Sequence, residues 1–196
     1  MLPNAHEDRE VRLQQLLGLP ARPAWLQQVH GTTVVDAAAV SGTPQADAAY
    51  TCSPGVVCAV LTADCLPVLL CDRDGECVAA IHAGWRGLAA GVIEQAVRAL
   101  PRPGAALLAW LGPAISPAAY QVGDEVRATF MAHDRRATAA FTAASDAGWH
   151  ADLYRLARQR LEDCGVTAVS GGGYCSYGEP GRFFSYRRDG ACGRMA

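Results

Sequence analysis

Lysine is absent from these 196 residues: all 17 basic side chains are arginine, in a chain carrying 20 glycines and 11 prolines. That pattern reads as a coding bias of the source genome. The number of arginines therefore carries no phosphate-binding signal, and only their positions do. The formal charge of −2 gives no electrostatic case for nucleic acid or an anionic membrane. No apolar run approaches the roughly 18 residues of a membrane span, and residues 1–12 lack a charged-then-apolar leader. Cys-x-x-Cys is missing, which excludes a zinc ribbon and a thioredoxin-like redox pair. The five histidines include no His-x-His pair, so a multicopper cluster lacks its ligands. No internal repeat or interdomain linker is evident.

What is present is a globular composition, 51% hydrophobic and 18% charged, in a chain of single-domain length. The eight cysteines (52, 58, 65, 71, 77, 164, 175 and 192) sit mostly inside apolar runs, as buried thiols do. All eight are expected to be reduced, with no pair at disulfide distance, in a cytoplasmic protein.

Residues 5–19 place Val11, Leu13, Leu16 and Leu17 among charges, an amphipathic helix stopped by Gly18 and Pro20. Residues 25–35 read as a strand interrupted at His30-Gly31, where a bulge would aim His30 inward. Residues 56–71 and 76–82 read as buried strands joined by the turn Asp72-Arg73-Asp74-Gly75. Helices are predicted over 87–100, 124–132 and 152–164, the last with Asp152 as N-cap and Gly165 just past its end. Strands are predicted over 105–112 and 166–170. Strands that come in adjacent groups as well as between helices favour an α+β fold with a mixed sheet.

The central hairpin carries the chemistry. Cys65 lies on its first strand and His82 at the end of its second, so pairing brings a thiolate beside an imidazole. His30 supplies a third donor. Two histidines and one cysteine fill three corners of a tetrahedral zinc site and leave the fourth open, as catalytic zinc requires. Their donor atoms are expected within about 4 Å of one another, at a point open to a pocket.

Several motifs resemble one family: QVHG at 28–31, TADCLPVLL at 62–70, AIHAGWRGL at 80–88, GPAIS at 112–116, QVGDEV at 121–126 and FFSYRRDGACGRMA at 183–196. This is the family once called multicopper polyphenol oxidases, or laccase-domain proteins, and now described as zinc-dependent purine nucleoside phosphorylases with adenosine deaminase activity. The resemblance runs from about residue 4 to 196. It implies α/β/β/α layers around a mixed β-sandwich in a single domain, and a metal bound by His30, Cys65 and His82. Family members usually begin with a further segment containing a Thr-Arg-Gly-Gly-type strand and a Ser-Leu-Asn-Leu-Gly motif; residues 1–196 are expected to form the domain without it. Gln121 replaces the usual Glu, and Cys192 the usual Thr.

Around the trio, other residues have two readings each. Asp64 either orients a ligand and takes part in catalysis or caps a turn. Trp85 stacks on a base or packs. Arg86 binds an anion at a helix start or is solvated. Arg187 and Arg188 hold phosphate or make surface ion pairs. Gln28, beside His30 in QVHG, is a substrate-binding candidate. Cys175 is a second reactive thiol or core packing, and His133 and His150 are surface residues. Three activities compete. The first is a zinc enzyme, with copper as the alternative ion, that cleaves adenosine, inosine or methylthioadenosine with inorganic phosphate and deaminates adenosine. The second is a copper-dependent polyphenol oxidase. The third is a hydrolase using Cys65 as nucleophile and His82 as base, acting for example on peptidoglycan precursors.

Overall fold

In the computed structural model, which describes residues 5–196, the fold grows from the hairpin at the middle of the chain. The fifth and sixth strands in chain order, β5 (Leu66–Asp72) and β6 (Val78–Ala83), pair antiparallel, with Pro67 opposite His82 and Cys71 opposite Val78. The other strands are β1 (Pro23–Ala24), β2 (Val34–Asp36), β3 (Ala48–Thr51), β4 (Val57–Cys58), β7 (Leu107–Leu111), β8 (Gln121–Val122), β9 (Phe141–Ala143), β10 (Trp149–Ala151) and β11 (Ala168–Gly171). The helices are α1 (Ala5–Leu17), α2 (Trp85–Ala90), α3 (Val92–Ala99), α4 (Asp124–His133), α5 (Leu153–Asp163) and α6 (Tyr186–Asp189). A six-stranded mixed sheet runs in the order β11-β7-β5-β6-β3-β2, antiparallel at its centre and parallel at each outer pair. A smaller sheet, β8-β10-β9, and the pair β1-β4 accompany it. The fold is mixed α+β, as the grouping of strands implies.

Packing explains which face is which. In β5, Leu66, Val68 and Leu70 point to one side and are buried, while Leu69 on the other side is 42% exposed. The buried side meets Val92, Ile93 and Val97 of α3 and Leu156 and Leu161 of α5 in one cluster. Each such side chain withdrawn from water contributes about 1.5–3 kcal/mol. Asp152 caps α5, its carboxylate accepting the Arg155 N–H at 2.9 Å. The opposite face of the sheet has a small cluster of Leu26, Ala37, Ala46, Ala49, Val60 and Ala80. Leu69, Val78 and Trp110 on that face stay exposed.

Several elements differ from expectation. The strand predicted over 56–71 is two strands, β4 and β5, separated by an irregular stretch in which Asp64, just before β5, has a positive φ of +88°. The one predicted over 25–35 survives only as β1 and β2, the backbone turning left-handed at His30 (φ +61°). The helix predicted over 87–100 breaks into α2 and α3 at Gly91 (φ +99°). Helix α1 ends at Leu17, and Val11, Leu16 and Leu17 are exposed, so its apolar stripe is not a core face. His150 is half-buried on β10 rather than at the surface, while His133 is exposed. Of residues 1–12, read above as leaderless, residues 1–4 lie outside the described residues. The expectation of eight reduced cysteines fails: Cys52 and Cys77 form a disulfide, and the other six are free. Thr51 pairs with Val78 across β3 and β6, which sets the next residues out, Cys52 and Cys77, face to face.

Candidate metal centre

The trio is assembled around Asp47, a wholly buried carboxylate at the entrance to β3. Asp47 accepts the backbone N–H groups of Val29, His30 and Gly31 at 3.2, 2.9 and 2.6 Å. Its Oδ1 also lies 2.8 Å from His82 Nδ1. One side chain thus holds the bend that presents His30 and fixes the ring of His82 near the end of β6. A non-glycine residue at φ +61° is strained; three backbone N–H groups donating to one carboxylate offset that cost. Gln28 ties the same bend to the chain before Cys65: its amide donates to the Leu61 carbonyl at 2.8 Å and accepts the Leu61 N–H at 2.7 Å.

Cys65 sits in the irregular segment before β5, not on the strand. Its sulfur is 3.7 Å from His30 Nε2, and the His30 and His82 rings meet edge to face with centroids 4.7 Å apart. One donor atom from each of the three lies within 4.8 Å of the others, slightly wider than the expected 4 Å. Gly84, two residues after His82, leaves the room: a Cβ there would come within 2.7 Å of His30 Cδ2 and 3.0 Å of Cys65 Sγ. Exposure grades from His30, exposed, through Cys65 to His82, buried. The trio faces a cavity of about 470 Å³.

The electrostatics agree with the geometry. Burial pushes the Cys65 thiol up, but contacts with His30 and His82 outweigh it and bring the pKa down to about 7. Burial pushes His82 down, yet its bond to Asp47 and the neighbouring thiolate raise it to about 9. Burial also opposes the charge on Asp47, but His82 and the three backbone N–H groups hold its carboxyl below the usual range. Two imidazoles and an activated thiolate form a donor set suited to zinc or copper. His82 is pinned at Nδ1 by a carboxylate, which leaves Nε2 as its ligand nitrogen, the usual arrangement behind metal-bound histidine. The residues present fit a metal ion.

The other predicted residues divide. Asp64, Gln28 and Arg187 line the cavity. Both oxygens of Asp64 are engaged, accepting the Ser176 hydroxyl at 2.6 Å and the Arg187 backbone N–H at 2.7 Å. Arg188 turns away from the cavity: its guanidinium donates to the Ser176, Tyr177 and Phe183 carbonyls. Arg86 lies over the Trp85 ring at 4.6 Å, and Trp85 packs against the core. Cys175 is outside this cavity. Its pKa is lowered, burial being outweighed by hydrogen bonds from Ser116 and from the backbone of Tyr177 and Gly178. Sequence reasoning missed Asp47, Tyr120, Tyr186 and Arg194. Asp47 had one available signal, a lone carboxylate in the apolar run Ala46-Asp47-Ala48-Ala49. Arg194 had none, since its position depends on where the C-terminus docks.

A cluster of three potential metal donors beside a cavity, on this mixed α+β fold, defines a class of protein that comparison then identifies. The chain matches the model of the multi-copper polyphenol oxidoreductase laccase family over residues 3–196 and belongs to that family. It is 53% identical to a purine nucleoside phosphorylase of Pseudomonas aeruginosa over 195 residues, covering 99% of this chain and 79% of that protein. To the Escherichia coli purine nucleoside phosphorylase YfiH it is 52% identical over 198 residues, covering 99% and 80%. The crystal structure of Neisseria meningitidis protein NMB0706 superimposes with a TM-score of 0.94 at 49% identity, over 98% of this chain and 79% of that one. No helix among the described residues is long and apolar enough to cross a membrane.

Proposed function

We propose that this chain is a zinc-dependent purine nucleoside phosphorylase that takes adenosine, inosine or methylthioadenosine with inorganic phosphate, and that the same centre deaminates adenosine. The observation that carries the reading is the convergence of His30, Cys65 and His82 at the wall of a cavity that also holds Arg187. The phosphorylase names of relatives sharing half the residues support it. Zinc bound there supplies Lewis acidity toward a substrate oxygen or water, and copper is the other ion these donors accept.

In phosphorolysis a phosphate oxygen bonds to the ribose C1′ as the C1′–N9 bond breaks, and the purine leaves with the electron pair and takes a proton. In deamination, water oxygen replaces the C6 amino group, and ammonia departs. Arg187 holds the phosphate through its guanidinium. Asp64 acts on catalysis by fixing the Arg187 backbone, and Gln28 by holding the His30 bend against Leu61. Arg188 braces the 176–183 segment through its carbonyl contacts, and Arg86 stacks on Trp85, so neither contacts the ligand. Asp47 keeps the His82 ring oriented throughout.

A second reading rests on a specific observation: the neighbouring imidazoles lower the Cys65 pKa to about 7, beside a His82 whose own pKa is raised to about 9. That pair suits a cysteine hydrolase, with Cys65 as nucleophile and His82 as proton donor to the leaving group. The deciding experiment combines metal analysis with incubation of the three nucleosides, with and without phosphate, for wild type, chelated wild type and Cys65→Ala. The expected result is about one zinc per wild-type chain, with phosphorolysis and deamination both lost along with metal in the other two samples. Full activity in the chelated protein would overturn the zinc mechanism and make Cys65 the nucleophile.

A further inference from the structure

The cavity beside the trio carries two arginines, Arg187 and Arg194, and one carboxylate, Asp64. Asp64 compensates neither guanidinium through an ion pair, because its oxygens are taken by Ser176 and by the backbone of Arg187. Arg187 spends one terminal nitrogen on the Gln121 carbonyl at 3.0 Å, and its guanidinium carbon sits 5.4 Å from the Tyr120 ring centre. Arg194 likewise spends one terminal nitrogen, on the Cys192 and Gly193 carbonyls at 3.2 and 3.1 Å. Each arginine therefore keeps donors for a ligand, and two positive charges line one cavity.

Arg194 is held there by the fold. Met195 and Thr62 exchange backbone hydrogen bonds at 2.9 and 2.8 Å, an antiparallel bridge that lays the C-terminal residues alongside the segment leading to Asp64 and Cys65. Behind the bridge, Phe184 packs so closely on Gly193 that a Cβ there would lie 2.6 Å from its ring. The docked segment thus places Arg194 at the cavity.

We infer that Arg194 and Arg187 together form the site for a tetrahedral oxyanion, inorganic phosphate, and that the C-terminal tail is a working part of the active site. This inference rests on the phosphorylase reading and deepens it. Two planar guanidinium groups suit a tetrahedral oxyanion, each offering paired N–H donors to its oxygens. Tyr120 and the largely exposed Tyr186 line the same cavity and add aromatic surface beside the two guanidinium groups.

The test is direct binding of inorganic phosphate to the zinc-loaded protein, followed by ³¹P line broadening, for wild type, Arg194→Gln, Arg194→Lys and Met195→Pro. Losing one charge-assisted contact is expected to weaken phosphate binding on the order of tenfold to hundredfold in Arg194→Gln. Arg194→Lys is expected to recover part of the loss. Met195→Pro keeps Arg194 but removes the N–H donated to Thr62, and it is expected to weaken phosphate as well. Zinc content equal to wild type shows that each variant is folded. In turnover, the same variants are expected to raise the KM for phosphate more than the KM for nucleoside. Wild-type affinity for phosphate in Arg194→Gln, or no phosphate binding by wild type, overturns the inference. Phosphate binding that responds as described in a protein that cleaves no nucleoside keeps the anion site and removes the phosphorylase reading instead.

Discussion

At the scale of single residues, Asp47 does more for the centre than any ligand. It orders the bend that carries His30, orients the His82 ring and raises the proton affinity of that ring. That last effect has a measurable consequence, because a metal binds neutral imidazole and thiolate. His82 keeps its proton up to about pH 9, and Cys65 loses its own near pH 7. Between these values each bound metal displaces one proton, from His82, so affinity should rise about tenfold per pH unit. Below the lower value a second proton leaves Cys65, and the profile should steepen further; above the upper value it should flatten. Competition against a zinc chelator between pH 6 and pH 10 reads both breaks. A flat profile from pH 7 to pH 9 would show that His82 is already neutral in the metal-free protein.

At the scale of elements, the departures from regular pattern are where the site is built. Cys65 lies in the irregular stretch before β5, next to Asp64 with its positive φ, and its thiol faces His30. Gly91 splits the following helix, so that α2 lies over the His30 bend while α3 packs on the sheet. The Cys52–Cys77 bridge joins β3 to β6 at the end away from His82. Closing a loop of sequence separation 25 removes unfolded-state entropy equivalent to about 3.5 kcal/mol. Thiol titration of the unfolded, unreduced protein should count six free groups. Reduction should lower unfolding stability by about 2–4 kcal/mol, read from the urea midpoint. It should leave zinc content unchanged, since Cys65 is not in the bridge. Eight titratable thiols would show that the bond does not form.

At the scale of the whole molecule, a buried ion pair ties together the helices packed on one side of the large sheet. Arg160 on α5 is only 5% exposed and meets Glu94 of α3 at 2.6 Å, with the Ala89 carbonyl of α2 as a further acceptor at 3.1 Å. Glu94→Ala would leave that guanidinium buried without its countercharge, and a cost of about 3 kcal/mol is expected in urea unfolding. Glu94→Gln, which keeps a hydrogen-bond acceptor, should lose less. A change below about 0.5 kcal/mol in Glu94→Ala would show that water reaches Arg160 and solvates it.

The grouping of the candidate trio was legible in the chain alone because metal chemistry depends on residue type. His30, Cys65 and His82 are the soft and borderline donors of motifs that stand close to the central hairpin. Helix α5 was legible too, since apolar period, Asp152 cap and terminal glycine all point the same way. The α+β class followed from the order of strands and helices. What the chain could not disclose is whatever depends on contact between distant segments. The partner of Cys52 is fixed by the register of β3 against β6, strands that are not neighbours in sequence. Asp47 becomes the organising carboxylate only when β3 lies beside β6 and the 29–31 bend folds over it. Arg194 reaches the cavity only because Met195 pairs with Thr62, 133 residues earlier in the chain. Local pattern specifies an element's type, but pairing between elements is decided by which faces bury together, and that exists only in the folded molecule.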